Sequence, residues 1–274
     1  MANFISVGSC LSALPGVFLM GDYKWRRLNN AKVDRSDLFV ADFIDRTGNM
    51  PPREEIVAFA QPLPEHEKVF FDNLAACYPD TIGLFECRAD CRPLRDTLES
   101  QDIDVILMDN MVETYTQALT LDAPSGHRFT SVLPFHLCRN KDEILARNPV
   151  TTAPLPAEQA VANWARIIGL FRDALPRADL VFVCSPYCLS PADPGRYRRS
   201  VDFYLLFREQ ADALGVKLIP PLDVEARYTK LPDDDAHFDN VIYRAMAGHI
   251  VLGRLASLPG TSRPYRLPDR VFWT

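Results

Sequence analysis

Apolar residues along this chain follow two patterns, short continuous runs and longer stretches with a spacing of three and four. Continuous apolar runs of a few residues are typical of strands that are buried on both faces. Such runs predict strands at residues 2–8, 37–43, 103–108, 180–184 and 216–219. Segments long enough for a helix separate strands along much of the chain, an alternation typical of βαβ units. The pattern therefore predicts an α/β fold with a mainly parallel sheet.

The clearest helical pattern follows Pro156. Apolar residues at spacings of three and four predict one buried stripe, which is formed by Val161, Trp164, Ile167, Ile168, Phe171 and Leu175. Further helices are expected at residues 65–76, 197–214 and 240–255, and proline followed by acidic residues at 51–56 predicts another helix start. Residues 121–152 keep no sustained period, so we expect a loop with a short helix there.

The chain contains no internal repeat and no linker that would separate two domains, so we expect a single domain over residues 1–260. Residues 261–274 contain prolines and aromatic residues without helical or strand periodicity. We expect them to form an extended tail that lies on the domain or contacts a partner. An oligomer that forms through this tail is therefore one hypothesis.

Composition excludes several classes of function. Of the 274 residues, 47% are hydrophobic and 24% charged, and the net charge is −6. No basic run is present that would neutralise nucleic-acid phosphates, and no apolar run reaches the roughly 20 residues that a bilayer requires. The seven cysteines are an odd number without a disulfide framework, which fits a reducing compartment. We therefore expect a cytoplasmic protein with neither nucleic acid nor membrane as its partner.

Cofactor and metal sites are not expected either. No Gly-x-Gly-x-x-Gly turn and no Gly-Lys-Ser/Thr element occurs in the chain. The pairs Cys87/Cys91 and Cys184/Cys188 lack the closer Cys-x-x-Cys spacing of structural zinc sites. We expect that no metal and no cofactor is needed.

Residues capable of acyl-transfer chemistry follow the predicted strands. Ser9 follows the first strand, Asn110 follows the central strand, and Asp234 and His237 lie beyond the last one. Because sites in open parallel sheets form outside the carboxyl ends of the strands, these residues are expected at one edge of the sheet. His237 could remove the proton of Ser9, and Asp234 could orient the imidazole of His237.

Such a site also needs donors for the oxyanion that develops during acyl transfer. The backbone N–H of Ser9 and the side-chain amide of Asn110 are two candidates. A third could come from the loop after the second predicted strand, either from Gly48 or from the Arg35–Ser36 pair.

The order of these elements resembles that of the SGNH/GDSL hydrolase superfamily. The first block is Gly8-Ser9-Cys10, without an aspartate before the serine, and is similar to a divergent GSC-type branch. The segment 238–251 resembles the helix that follows the catalytic histidine in these enzymes. The three-residue offset used there singles out Asp234 among Asp233, Asp234 and Asp235. The resemblance implies a flavodoxin-like three-layer α/β/α sandwich with a five-stranded sheet.

The resemblance also implies ester or O-acyl chemistry. The leading hypothesis is a serine ester hydrolase or O-acyltransferase with an acyl-Ser9 intermediate, acting on a carbohydrate or small-molecule ester. One alternative makes Cys10 the nucleophile, since a thiolate at a helix N-terminus can have a lowered pKa. Another is a non-catalytic binding protein on the same scaffold.

Overall fold

A computed structural model of the chain describes residues 2–78, 80, 92–100, 102–147, 149–185, 194–221, 228 and 237–255. Its strands are β1 (Asn3–Gly8), β2 (Arg26–Lys32), β3 (Val105–Asp109), β4 (Ala118–Asp122), β5 (Arg128–Ser131), β6 (Val150–Thr152), β7 (Asp179–Val183) and β8 (Val216–Ile219). Its α-helices are α1 (Cys10–Gly21), α2 (Ser36–Phe39), α3 (Arg53–Ala60), α4 (Glu67–Cys77), α5 (Leu94–Glu99), α6 (Lys141–Ala146), α7 (Ala157–Ala174), α8 (Pro194–Ala211) and α9 (Asn240–Leu255).

The main sheet has five strands in the order β2-β1-β3-β7-β8, and all neighbouring strands are parallel. One apolar cluster joins this sheet to α7 and α8, and a second joins its other face to α1 and α9. This arrangement confirms the predicted three-layer α/β/α fold. Between β1 and β3 the chain order reverses, which makes the carboxyl ends of these two strands the topological switch point of the sheet.

The predicted strand at residues 37–43 is wrong. This segment forms α2 and a π-helical turn at Val40–Ile44, and the apolar side chains of Phe39, Val40 and Phe43 are buried in the first cluster. Their spacing also fits a helix, and short apolar runs do not distinguish the two structures. The second strand is β2, whose sequence Arg-Arg-Leu-Asn-Asn-Ala-Lys carries no strand-like apolar pattern.

The interpretation of residues 121–152 as a loop with a short helix is also wrong in part. The segment contains α6, but β4, β5 and β6 form a second, antiparallel sheet in the order β5-β4-β6. Gly126 has a φ of +82° in the turn between β4 and β5, a conformation that glycine adopts at little cost. A third apolar cluster joins this sheet to α3 and α4.

The other predicted elements are present with shifted ends. The predicted helix at 240–255 matches α9, and the buried stripe of α7 contains the expected residues from Val161 to Phe171. The predicted tail at 261–274 lies outside the described residues. None of the helices that the structure describes combines the length and apolar character needed to cross a membrane.

Candidate active site

Ser9 lies at the sharp turn from β1 into α1. It is the N-cap residue of α1, and its Oγ accepts a hydrogen bond from the Leu11 N–H at 3.3 Å. Gly8 precedes it with a φ of +149°, and a Cβ at Gly8 would lie 2.5 Å from Oδ2 of Asp109. Only glycine fits this turn without displacing that carboxylate. The first block therefore brings the Ser9 backbone into close contact with the end of β3.

The side chain of Asp109 accepts the hydrogen bonds of this turn. Ser9 Oγ donates to Oδ1 at 2.6 Å, and the Ser9 N–H donates to Oδ2 at 2.7 Å. The Ser12 N–H donates to Oδ2 at 2.8 Å, and the Met111 N–H donates to Oδ1 at 3.0 Å. Asp109 is fully buried. Asp109 was not predicted from the sequence, although an acidic residue that directly follows a buried apolar run was a signal for it.

Ser9 and His237 line the same cavity, which has a volume of about 350 Å³. His237 lies three residues before the start of α9. The remaining walls come from α1, β2 and α4 and from Gly8, and they comprise Gly8, Cys10, Ala13, Asn30, Lys32, Lys68, Val69, Asp72, Asn73 and Ala75. The structure thus brings the predicted nucleophile and base to one cavity. Asp234, the predicted partner of His237, lies outside the described residues.

Asn110 follows Asp109 at the end of β3. Its Oδ1 accepts a hydrogen bond from the Ser185 N–H at 3.1 Å, and this bond fixes the orientation of the amide. The side chain is 2% exposed, and its Nδ2 has no partner among the described residues. A buried N–H group without a partner is uncommon in proteins. Asn110 is not among the residues that line the cavity of Ser9 and His237, but its Nδ2 is a buried donor without a partner at the end of the neighbouring strand.

The two other predicted oxyanion donors are already engaged. The Ser9 N–H donates to Asp109, and the Gly48 N–H donates to the Ala41 carbonyl at 3.0 Å. Gly48 also packs so closely against Asp42 that a Cβ there would collide with the carboxylate. The predictions for these two donors are therefore corrected, because a backbone N–H that already donates within the protein is not available to an oxyanion.

The alternative donor pair, Arg35 and Ser36, is engaged as well. The Arg35 guanidinium donates to the Asp37 carboxylate at 2.7 Å and to the Ala153 carbonyl at 3.0 Å. The Ser36 N–H donates to Oε1 of Glu113 at 2.8 Å. Asn110 is thus the predicted donor that keeps a free N–H group.

Cys10 also lines the cavity, as the first residue of α1. Burial raises the pKa of its thiol to about 11, and the nearby Lys32 offsets this only in part. The lowered pKa that a cysteine nucleophile needs is therefore not found here.

Lys32, at the end of β2, lines the cavity and contacts a buried carboxylate and an amide. Lys32 Nζ lies 3.3 Å from Oδ2 of Asp34 and donates to Oδ1 of Asn73 at 3.3 Å. Asp34 is 1% exposed, and burial raises the pKa of its carboxyl group. The described residues contain no group of three or more His, Cys, Asp or Glu side chains placed to hold a metal ion. Of the cysteines in the pairs considered for zinc, Cys87, Cys91 and Cys188 lie outside the described residues.

No protein-family model matches the chain, and no curated protein matches it. Among solved structures, the chain is similar to a carbohydrate acetylesterase from Sinorhizobium meliloti, with 11% identity over 92% of this chain and 99% of that one and a TM-score of 0.44. It is similar to a lipase/acylhydrolase from Enterococcus faecalis, with 11% identity over 97% and 100% and a TM-score of 0.47. It is also similar to a family two carbohydrate esterase from Cellvibrio japonicus, with 10% identity over 93% and 61% and a TM-score of 0.43.

Proposed function

We propose that this chain is a serine ester hydrolase or O-acyltransferase of the SGNH type, with Ser9 as its nucleophile. The observation that carries the proposal is the cavity that Ser9 and His237 share at the topological switch point of the sheet. Ligands of open α/β sheets bind at this point. The unpartnered Nδ2 of Asn110 at the end of the neighbouring strand supports the same function.

In the proposed reaction, Ser9 Oγ forms a bond to the acyl carbon while its proton passes to His237. The carbonyl oxygen becomes an oxyanion, to which Asn110 Nδ2 donates. The bond to the leaving alcohol then breaks, and His237 gives the alcohol the proton. Water or an acceptor hydroxyl attacks the acyl-Ser9 ester by the same steps in reverse. Asp234, three residues before His237, is proposed to orient the imidazole.

The walls of the cavity favour a small ester with a polar alcohol portion. Ala13, Val69 and Ala75 contribute apolar surface, while Asn30, Lys32 and Asn73 make part of the wall polar. A volume of about 350 Å³ is in the range of small-molecule sites. An acylated carbohydrate or a similar small ester fits this combination.

Labelling with a fluorophosphonate probe tests the nucleophile. We expect one adduct at Ser9 that is lost in Ser9→Ala, together with cleavage of p-nitrophenyl esters between acetyl and octanoyl. In His237→Ala we expect kcat to fall by about a thousandfold or more. In Asn110→Ala we expect a fall of about a hundredfold, as for other oxyanion donors.

Ser12→Ala is the matched control, because Ser12 is a buried serine one turn further along α1 that does not line the cavity. Its hydroxyl donates to the Ser9 carbonyl, and we expect its loss to leave labelling intact. A comparison of water with sugar acceptors then separates hydrolysis from acyl transfer.

A non-catalytic binding protein is the second candidate function. It is favoured by the engagement of the Ser9 and Gly48 N–H groups within the protein, which leaves fewer donors for an oxyanion. Folded protein that forms no adduct at Ser9 and cleaves none of the esters would support this second function and rule out the first.

A further inference from the structure

We propose that Asp109 is a positioning residue that sets the orientation of the Ser9 hydroxyl and backbone. This inference rests on the proposed function, because it assigns a role to the residue that holds the nucleophile. The two residues are 100 positions apart, yet both the Oγ and the N–H of Ser9 donate to the Asp109 carboxylate, at 2.6 and 2.7 Å. The contact joins the ends of β1 and β3, the strands between which the proposed site lies.

The Asp109 carboxylate determines which part of the Ser9 hydroxyl remains free. A hydroxyl group has one proton to donate and two lone pairs that accept. The proton points to Asp109 Oδ1, and the Leu11 N–H occupies one lone pair. The second lone pair is left for the acyl carbon. Asp109 thus fixes the orientation of the Ser9 oxygen before the reaction begins.

Asp109 accepts hydrogen bonds from three backbone N–H groups, which makes it a residue that holds the turn in place. His237 remains the proposed general base for Ser9. The N–H groups of Ser9, Ser12 and Met111 all donate to this carboxylate and hold it in place. In the proposed reaction the proton of Ser9 turns from Asp109 to His237, while the hydrogen bonds from the N–H groups keep the turn in place.

The exchange Asp109→Asn keeps the size of the side chain and changes its hydrogen bond to the Ser9 hydroxyl. The amide oxygen can still accept from the N–H groups of Ser9 and Ser12, while the Met111 N–H loses its acceptor at Oδ1. The NH₂ group then takes the place of Oδ1 and donates to Ser9 Oγ, where it occupies the lone pair needed for attack. We expect the hydroxyl to become a weaker nucleophile while the cavity keeps its shape.

The test is the rate of fluorophosphonate labelling, analysed as the maximal rate kinact and the half-saturating probe concentration KI. For Asp109→Asn we expect kinact to fall at least about tenfold, as for other misplaced reacting groups, with KI unchanged within about twofold. The matched control is Glu113→Gln, which alters another buried carboxylate that contacts Ser36 and Trp164 but not Ser9. We expect this variant to lose stability and to keep the wild-type kinact.

A second variant moves the carboxylate without changing its charge. In Gly8→Ala the new Cβ would lie 2.5 Å from Oδ2 of Asp109, so we expect the same loss in kinact. The proposal is overturned if folded Asp109→Asn is labelled at the wild-type kinact, or if KI alone changes. It is also overturned if neither variant folds, since Asp109 would then be a structural residue. Absence of labelling in the wild-type protein would instead remove the proposed function itself.

Discussion

Ser9 and Cys10 are adjacent residues that line one cavity, but their surroundings favour different chemistry. The hydroxyl of Ser9 contacts a carboxylate and a backbone N–H, which fix its orientation. The thiol of Cys10 is largely buried, and its pKa is raised to about 11. A thiol is a nucleophile only as the thiolate, so burial at Cys10 favours Ser9 as the reacting residue.

We therefore predict that Cys10 reacts slowly with iodoacetamide in the folded protein. At pH 8 a pKa of about 11 leaves about one thiolate in a thousand, roughly a hundredfold less than an ordinary cysteine. Mass spectrometry of the Cys10 peptide over time gives the rate, and protein unfolded in urea gives the reference. Rapid modification at pH 7, or esterase activity that survives Ser9→Ala and is lost in Cys10→Ala, would restore Cys10 as a candidate nucleophile.

The sequence could predict residues that follow strands, but not contacts made across the sheet. Ser9 and Asn110 follow β1 and β3, and parallel strands bring their carboxyl ends to one edge. Asp109 was not predicted as a site residue, because its partner Ser9 is 100 residues away in the sequence. Gly48 looked suitable as a donor by its place in the chain. Its N–H donates to the carbonyl of Ala41, a contact that no residue pattern reveals.

At the scale of elements, prediction depended on whether the apolar pattern had a clear period. The stripe of α7 repeats over several turns and was found, since long periodic segments leave little ambiguity. The strand β2 was missed because it is an edge strand in which polar side chains such as Asn29 and Asn30 are buried. The strands β4 and β5 are five and four residues long, too short to establish a period.

Glu113 joins elements that are far apart in the sequence. It lies after β3 and accepts from the Ser36 N–H of α2 at 2.8 Å and from the Trp164 Nε1 of α7 at 2.7 Å. Burial raises the pKa of this carboxyl group, and the hydrogen bonds from Ser36 and Trp164 oppose the rise. A buried carboxyl group that loses a donor leaves an unsatisfied acceptor in the core.

We predict that Trp164→Phe lowers the free energy of unfolding by about 2 kcal/mol or more, because Glu113 loses its indole donor. Urea unfolding at constant pH measures the change. The matched control is Trp25→Phe, which shortens a partly buried indole that packs on Phe4 and lies beneath Arg254. We expect a clearly smaller loss there. Equal losses in the two variants would show that ring volume, and not the bond to Glu113, accounts for the effect.

At the scale of the whole molecule, several carboxyl groups are fully or partly buried. Their contribution to the free energy of unfolding therefore depends on pH. Burial raises the pKa of Asp34, Asp42, Asp72 and Glu113. A carboxyl group whose pKa is higher in the folded than in the unfolded state contributes stability at low pH that is lost as it ionises. These groups therefore oppose the usual gain in stability between acidic and neutral pH.

Asp42 is the most direct test, because burial raises its pKa from 3.8 to about 6 and no hydrogen bond from the described residues reaches its carboxyl group. Its contribution to stability is full below about pH 4 and is lost as the pH rises through 6.

We predict that Asp42→Asn raises the free energy of unfolding at pH 7.5 by about 1 kcal/mol, a value reduced from the full shift because the side chain is only partly buried. At pH 4 we expect no gain. Urea unfolding at both pH values measures this, with Asp45→Asn as control, since Arg166 lowers the pKa of that neighbouring carboxyl group. An equal effect of Asp42→Asn at both pH values would mean that its ionisation does not limit the stability of the fold.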